Sequence, residues 1–244
     1  MRNFSRIIFS VMLACAAGLN CGAQQYRELQ DYLDNAGGLS LLYRGRTAPR
    51  IKALANGNPY WTSPEFKTGD IVFDGLLYTG VLINFDASTK TVLVSSTEGN
   101  VFTIGLPSDK VECFTMGDDR FVKIEGRKDI PSGFHHEIFN GRYGFYKHVV
   151  KHLESSTAVQ NGSAIGYEDP AYNFNLVNYF HYLPAFYLRD ASGNYKRIRS
   201  KAALLRCFPK QKKAIRKYLA GRFSDPSGLS LEAYAAETLK FVEQ

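Results

Sequence analysis

The sequence predicts an α+β fold, in which an antiparallel β-meander of about eight to ten strands, arranged as an open barrel or a sandwich, is closed by C-terminal helices. Between residues 67 and 124, short apolar runs alternate with turn residues. The connections between these runs are too short to hold crossover helices, so the strands are expected to be antiparallel. The last part of the chain, from about residue 200 to residue 244, carries apolar residues at helical spacing instead.

The N-terminal segment, residues 1–23, has the three-part form of a secretory signal peptide. Arg2 and Arg6 precede a short apolar run, and the segment ends in small residues at Ala23. The run is too short to span a bilayer, so no transmembrane segment is expected in the mature chain. The pattern predicts export to the periplasm or the outer cell surface. The "MLAC" stretch at 12–15 keeps lipoprotein processing as an alternative.

Residues 24–244 are expected to form a single β-rich domain with a C-terminal helical segment at about 200–244. Residues 26–35 place apolar side chains at helical spacing and predict a short helix. In the meander, Asp74-Gly75 and Asn140-Gly141 are signals for two-residue hairpin turns.

The stretch from residue 155 to residue 180 is rich in Ser, Gly, Asn and Tyr, and it has little period. It predicts a long loop, which is more often functional than structural when it is ordered. The following residues, 183–198, predict another hairpin with its turn at 192–194.

Three helices are predicted in the C-terminal segment. Ser200 can cap the first, and Ser230 can cap the last. Between them, Pro209 suits the first turn of a helix that Gly221 would close. Each helix has one apolar face, which the β-rich body is expected to cover.

Several stretches of the chain look familiar as a set: "FKTGDIVFDGLLYTGVLINFD", "KVECFTMGDDRFVKI" and "YKRIRSKAALLRCFPKQKKAIRKYL". They resemble a family of small exported proteins from Bacteroidota, whose pattern couples a β-meander to a basic helical tail. The resemblance covers roughly residues 40–225. It implies export and one β-plus-helix unit. The family has no established activity, so the resemblance implies no site residue and no cofactor.

Charge is polarised along the chain. Without residues 1–23 the chain has 28 Lys and Arg against 23 Asp and Glu, and eleven of the 28 lie between Tyr195 and Phe223. Such a strip favours nucleic acid in many proteins, but an exported protein rarely meets it, so no nucleic-acid partner is expected. The strip predicts a solvated helix face, with Lys213, Arg216 and Lys217 as candidate contacts for an acidic partner or an anionic surface.

The histidines are the candidate metal ligands. A two-residue turn at Asn140-Gly141 would place His136 on the core face and His135 beside His148 on the other face. A site of His135, His148 and His152, with His152 one pleat further along, is then geometrically allowed. No HExxH or CxxC accompanies these residues, so they are expected to be exposed strand histidines, and neither metal nor cofactor is expected.

Other catalytic patterns are weak. No GxSxG elbow and no phosphate-binding glycine loop are present. Six aspartates fall at strand ends or turns, where turn geometry is a sufficient reason for them. These six aspartates are Asp70, Asp74, Asp86, Asp109, Asp118 and Asp119. The sequence leaves open whether Cys113 and Cys207 pair or are separate buried thiols.

The aromatic residues of the long loop are the remaining candidates. Tyr167, Tyr172 and Phe174 lie beside Asn and Asp, a mixture that can anchor a peptide or stack on a sugar, or else pack the loop onto the body. The sequence therefore predicts a non-enzymatic exported binding or assembly module. Its partner is an unspecified protein, glycan or anionic surface. The alternative is a hydrolase-type enzyme that uses the turn carboxylates.

Overall fold

A computed structural model describes residues 41–48, 55–96, 102–157 and 176–244. The predicted signal peptide and the predicted helix at 26–35 lie outside these residues. The described part contains strands along most of its length and helices at its C-terminal end. After a short 3-10 helix at Leu41–Tyr43, the strands are β1 Arg46–Thr47, β2 Ala55–Asn56, β3 Lys67–Phe73, β4 Leu76–Asp86, β5 Thr91–Ser95, β6 Thr103–Gly105, β7 Val111–Met116, β8 Asp119–Ile124, β9 Gly133–Asn140, β10 Gly144–Thr157, β11 Leu176–Arg189 and β12 Tyr195–Ile198.

All these strands belong to one sheet, in the order β1-β6-β5-β4-β3-β7-β8-β9-β10-β11-β12. Ten of the strands have three or more residues, and every pairing among those ten is antiparallel. The two-residue strand β2 is the exception, because it pairs with β11 in parallel. The sheet is open, and helices follow it, so the predicted α+β meander is confirmed.

The predicted tight turn at Asp74-Gly75 is confirmed. Both residues have positive φ, 54° and 76°, and they join the paired ends of β3 and β4. This is the combination that a type I′ turn requires, and it matches the twist of the flanking strands.

The predicted two-residue turn at Asn140-Gly141 is wrong. Asn140 pairs with Gly144, so the loop has three residues, and a bulge follows between Phe145 and Tyr146. A contact from the far end of the chain explains the difference. The Glu243 carboxylate accepts a hydrogen bond of 2.7 Å from the Tyr143 backbone amide and lies against Gly141, where it fills the space of a side chain.

The predicted loop at 155–180 is shorter than the sequence indicates. Strand β10 continues to Thr157, and β11 already begins at Leu176. The two strands are paired residue for residue from Gly144↔Arg189 to Thr157↔Leu176. Polar strand residues hide this ladder from the sequence, because main-chain pairing does not need an apolar side chain at each position.

The C-terminal helices are α1 Lys201–Leu205, α2 Lys212–Arg222 and α3 Leu231–Val242. The predicted caps at Ser200 and Ser230 are confirmed, since each hydroxyl accepts a hydrogen bond of 3.1 Å from an amide in the first turn of its helix. The predicted bounds of the middle helix are wrong. Pro209 lies in a turn before α2, and Gly221 lies within α2, which ends only at the extended residue Phe223.

Two main hydrophobic clusters hold the fold together. The first lies inside the curved sheet and draws side chains from β3 through β10, including Phe85, Phe114 and Val149. The second lies between the helices and the β9–β12 face, where Phe145 and Leu239 are fully buried. The helices therefore cover the sheet, as their apolar faces require.

The two cysteines of the described residues are unpaired. Cys113 lies on β7 and Cys207 follows α1, and both are free thiols that are partly buried. Burial raises the pKa of both thiols, which keeps them protonated and unreactive.

Candidate functional site

The basic face of α2 lies where the sequence places it. Ile215 and Leu219 are buried in the helix cluster, while Lys213, Arg216 and Lys217 are exposed on the opposite side of the helix. Within the described chain none of these three cations forms an ion pair. Nothing on α2 neutralises them, because the helix contains no acidic residue.

The aromatic candidates divide into two groups. Tyr167, Tyr172 and Phe174 lie outside the described residues. The neighbouring Tyr179 and Tyr182, which the sequence assigns to the same loop and its end, lie on β11 instead. Their strand geometry fixes the side of the sheet from which each side chain projects.

His135 and His148 are brought together, as the sequence predicts. Their rings stack with centroids 4.7 Å apart and planes at 28°. Both residues are buried, so the expectation that they are exposed is wrong. His135 Nδ1 is 3.0 Å from the carbonyl oxygen of Gly133, while its Nε2 has no hydrogen-bond partner. Burial lowers the pKa of both imidazoles to about 4, and for His135 the neighbouring His148 adds to the shift. The pair is therefore neutral at neutral pH.

His152 does not join this pair. It lies four residues beyond His148 on β10, so the two side chains are two pleats apart on the same face, and not one as predicted. Four residues span about 13 Å along a strand. Its partner across the ladder is His181, and both side chains are exposed. In the part of the chain that the structure describes, no group of three or more His, Cys, Asp and Glu could hold a metal ion.

His136 lies on the core side of β9, as expected, but it also has an acidic partner. Its Nε2 is 3.2 Å from Asp119, and its ring contacts the ring of Trp61 at a centroid distance of 5.3 Å. Burial lowers the pKa of His136, against the opposing effect of Asp119. Asp119 is shared with Lys67 at 3.6 Å.

The predicted turn carboxylates lie at separate places in the sheet. Asp70 accepts a hydrogen bond from the Gly80 amide at 3.1 Å, and Asp74 binds Lys110 at 2.9 Å. Asp86 accepts hydrogen bonds from the amides of the two residues that follow Ala87, at 2.8 and 3.0 Å. Asp74 and Asp86 lie in a turn and at a strand end, as the sequence indicates. The expectation for Asp70 is wrong, because it lies inside β3 at a bulge.

One partly buried charged group is not among the residues that the sequence indicates. The Lys147 ammonium on β10 is 2.5 Å from Glu232 of α3, and it lies over the ring of Trp61 at 5.1 Å. Tyr182 and Phe186 of β11 flank it at 5.8 and 5.9 Å. Burial lowers the pKa of Lys147, but hydrogen bonds to Glu232 and Tyr182 outweigh that effect, and the net shift is upward. Residues this far apart in sequence give no local signal.

The most exposed apolar surface lies on the distal part of the β10–β11 ladder. We name this part the outer hairpin and define it as residues 150–157 of β10 with 176–183 of β11. It carries four of the six large apolar side chains that are exposed among the described residues, namely Leu153 at 43%, Tyr179 at 36%, Tyr182 at 41% and Leu183 at 44% exposure.

Both faces of the outer hairpin contribute to this surface. Residues that pair across an antiparallel ladder share a face, so Leu153 and Tyr182 project from one side, and Tyr179 and Leu183 from the other. On the second face, Glu154 accepts a hydrogen bond of 2.8 Å from the Tyr179 hydroxyl. The surface is therefore apolar and aromatic with a polar element on one face.

No protein-family profile, curated protein or solved structure matches this chain. Within the described residues no helix is both long enough and apolar enough to cross a membrane.

Proposed function

We propose that this protein is an exported, non-enzymatic binding module that contacts a partner protein through the outer hairpin. One observation carries the proposal: the large exposed apolar side chains concentrate there, on a strand pair whose described side chains all lie outside the hydrophobic clusters of the fold. Contiguous exposed apolar surface on a soluble protein is typical of interaction sites. Tyrosine is also among the residue types that dominate binding energy at interfaces.

The base of the outer hairpin is anchored, which suits a recognition surface. The Lys151 backbone amide donates a hydrogen bond of 3.2 Å to the carbonyl oxygen of Ala87, beyond the end of β4. The Lys151 ammonium donates to the carbonyl oxygen of Asn58 at 3.1 Å. A surface that is already ordered loses less conformational entropy when it binds, so more of its contact energy appears as affinity.

The mixture of side chains favours a protein partner. Leu153 and Leu183 offer no hydrogen bond, and aliphatic groups contribute little to sugar recognition compared with aromatic rings and polar groups. The carboxylates support the hydrolase alternative less well, since those of Asp70, Asp74 and Asp86 are engaged at separate places in the sheet.

A photo-crosslinking experiment tests the proposal. A benzophenone amino acid replaces Tyr182 in one variant and Leu77 in a matched control, because Leu77 is an equally exposed apolar residue, at 39%, on β4. We expect the Tyr182 variant to form a discrete crosslinked product in intact cells, and the Leu77 variant to form none. Identical products from both positions, or no product from Tyr182, would contradict the proposal.

Export is part of the proposal, and it has its own test. The motif at residues 1–23 predicts a mature chain that begins at Gln24. Intact-mass measurement of protein from the cell envelope should give the mass of residues 24–244. A mature protein that retains Met1, or that carries an acylated Cys15, would show that the expected processing is wrong.

A further inference from the structure

We infer that the free edge of β11 accepts a short extended peptide from the partner as an additional strand. The inference rests on the proposed function and specifies how the partner binds. On one side β11 is paired with β10 along its full length. On its other side, β2 pairs only with Asn178 and Tyr179, and β12 pairs only with Phe186–Arg189. Among the described residues, the stretch 180–185 therefore has no strand on that side.

The gap is built into the fold because both neighbouring strands turn away. Strand β12 ends at Ile198, and the chain enters α1 after its cap Ser200. Strand β2 ends before Gly57, whose φ of +85° turns the chain. The next residues then cross to β4, where the Trp61 amide donates to the Phe85 carbonyl at 2.8 Å. Neither strand can extend into the gap without losing these contacts.

The gap is open to solvent and carries apolar side chains. All four residues from 181 to 184 are exposed, which is unusual inside a paired sheet. Tyr182 and Leu183 project from opposite faces next to the edge. An added strand could therefore form main-chain hydrogen bonds along the edge, and it would contact Tyr182 on one face and Leu183 on the other. These are the two components of recognition by strand addition.

Pro184 indicates which backbone groups are available. Proline within a sheet is confined to positions where its missing N–H would face an unpaired edge. Within an antiparallel strand, the backbone groups of alternate residues point to the same side. The amide of Tyr182 therefore points into the gap, and the amide of Leu183 points to β10. The amide of Phe180 faces the same side as that of Tyr182, but the parallel pairing of Tyr179 with β2 already uses it.

The length of the gap determines which kind of strand can bind there. Strand β11 of a second copy has 14 residues, and on this edge it would collide with β2 at one end and with β12 at the other. A segment of about six residues that leaves the sheet at both ends fits without collision. The expected partner is thus a loop or terminal segment of another protein in extended conformation. It should carry apolar residues opposite Tyr182 and Leu183, where cross-strand pairs contribute.

Hydrogen exchange of individual amides, followed by NMR, tests the inference with the peptide acetyl-Val-Thr-Val-Tyr-Val-Thr-amide as the probe. We expect exchange at the Tyr182 amide to slow by about tenfold or more at saturation, because a hydrogen bond forms there. The Leu183 amide, which is bonded to β10 with or without peptide, should not change. A twin peptide with its four central amides N-methylated is the control and should give no protection. Unchanged exchange at Tyr182 at the highest soluble peptide concentration overturns the inference.

Two variants separate backbone from side chain. Tyr182→Ala removes the ring, while Tyr182→Pro removes the ring and the amide hydrogen. We expect Tyr182→Pro to bind the probe at least about tenfold more weakly than Tyr182→Ala, since only the proline removes an edge donor. Equal affinities would overturn the inference, and should Tyr182→Pro fail to fold, the exchange experiment still decides. Crosslinking from Tyr182 without peptide protection would mean that the outer hairpin binds its partner by its faces and not by its edge.

Discussion

The inner and outer halves of the β10–β11 ladder have the same backbone and opposite surroundings. The inner half, residues 144–149 paired with 184–189, has Phe145 and Leu188 buried under the helices on one face. Its other face buries Tyr146 and Tyr187 in a third, smaller cluster. The outer hairpin continues the same register without a break, yet its large apolar side chains are exposed.

This contrast teaches that pairing and burial are separate properties of a strand. The ladder pairs β10 with β11 residue for residue in both halves. Only the inner half also removes apolar surface from water, which is the dominant favourable term in folding. The inner half is therefore expected to carry stability, and the outer half to be free for binding. Four substitutions or conditions can break or sharpen this comparison.

The largest difference is expected from truncating one apolar side chain in each half. Phe145 is fully buried, whereas Leu153 of the same strand is 43% exposed. Phe145→Ala should lower the free energy of unfolding by about 3–5 kcal/mol through lost burial and a cavity. Leu153→Ala should cost less than about 1 kcal/mol. Urea unfolding of both variants measures the difference, and equal losses would mean that the outer hairpin is also part of the core.

Acid should destabilise the inner half through the buried histidines. In the folded state the pKa of His135 and of His148 is about 4, below the ordinary value of 6.5. The unfolded chain therefore binds more protons, and the stability that the neutral pair provides is present above pH 6.5 and lost as pH falls towards 4. The two groups together should cost about 2 kcal/mol between pH 6.5 and about pH 5.5.

Urea unfolding at a series of pH values checks this dependence. The groups that face the pair are Lys90, Tyr187 and the Gly133 carbonyl oxygen, and Lys90 disfavours the charged form of His148. His148→Gln removes one of the two titrating groups, so it should reduce the pH dependence in this range to about half. An unchanged dependence in the variant would show that other groups cause it.

A smaller effect is expected from the partly buried ion pair that joins the inner half to α3. Glu232→Gln leaves the Lys147 ammonium, whose side chain is only 14% exposed, without its carboxylate. We expect a loss of about 1–3 kcal/mol in thermal or urea unfolding. Glu125→Gln is the matched control, because Lys123 is similarly covered but Glu125 is 60% exposed, and it should change stability by less than about 0.5 kcal/mol. A similar loss in both variants would contradict the role given to burial.

The smallest effect is expected on α2. Lys213, Arg216 and Lys217 changed together to Gln should alter stability by no more than about 0.5 kcal/mol, since exposed charges contribute little. Retention on anionic lipid vesicles at low and physiological salt, compared with the unchanged protein, shows whether the face also binds. Retention that is lost in the variant and weakened by salt would identify α2 as a second contact surface.

Much of the fold could be predicted because its signals are local. The Asp74-Gly75 turn and the Ser200 and Ser230 caps each depend on a few neighbouring residues whose conformational preferences are strong. The failures have the opposite character. The loop after Asn140 is set by Glu243, a residue about a hundred positions away, and no local preference reports such a contact.

The candidate site was predicted only in part. His135 lies beside His148 as predicted, but only because the bulge between Phe145 and Tyr146 offsets the extra residue in the turn and restores the predicted face. The sequence predicts a loop for the distal part of the outer hairpin, residues 155–157 and 176–180, since its polar residues resemble loop residues and its pairing lies in the main chain. Neither the strand geometry of Tyr182 nor its free edge could be read from the sequence.

The sequence by itself determined the class of the fold, the two serine caps, the amphipathic helices and the uneven charge, because each follows from the chemistry of residues close together in the chain. Only the tertiary structure decided which side chains are buried. It set Lys147 against Glu232 and Trp61, and, among the described residues, it left 180–185 of β11 without a paired strand between β2 and β12. Burial and edge pairing depend on which distant segments arrive at the same place, and that is settled by the packing of the whole chain.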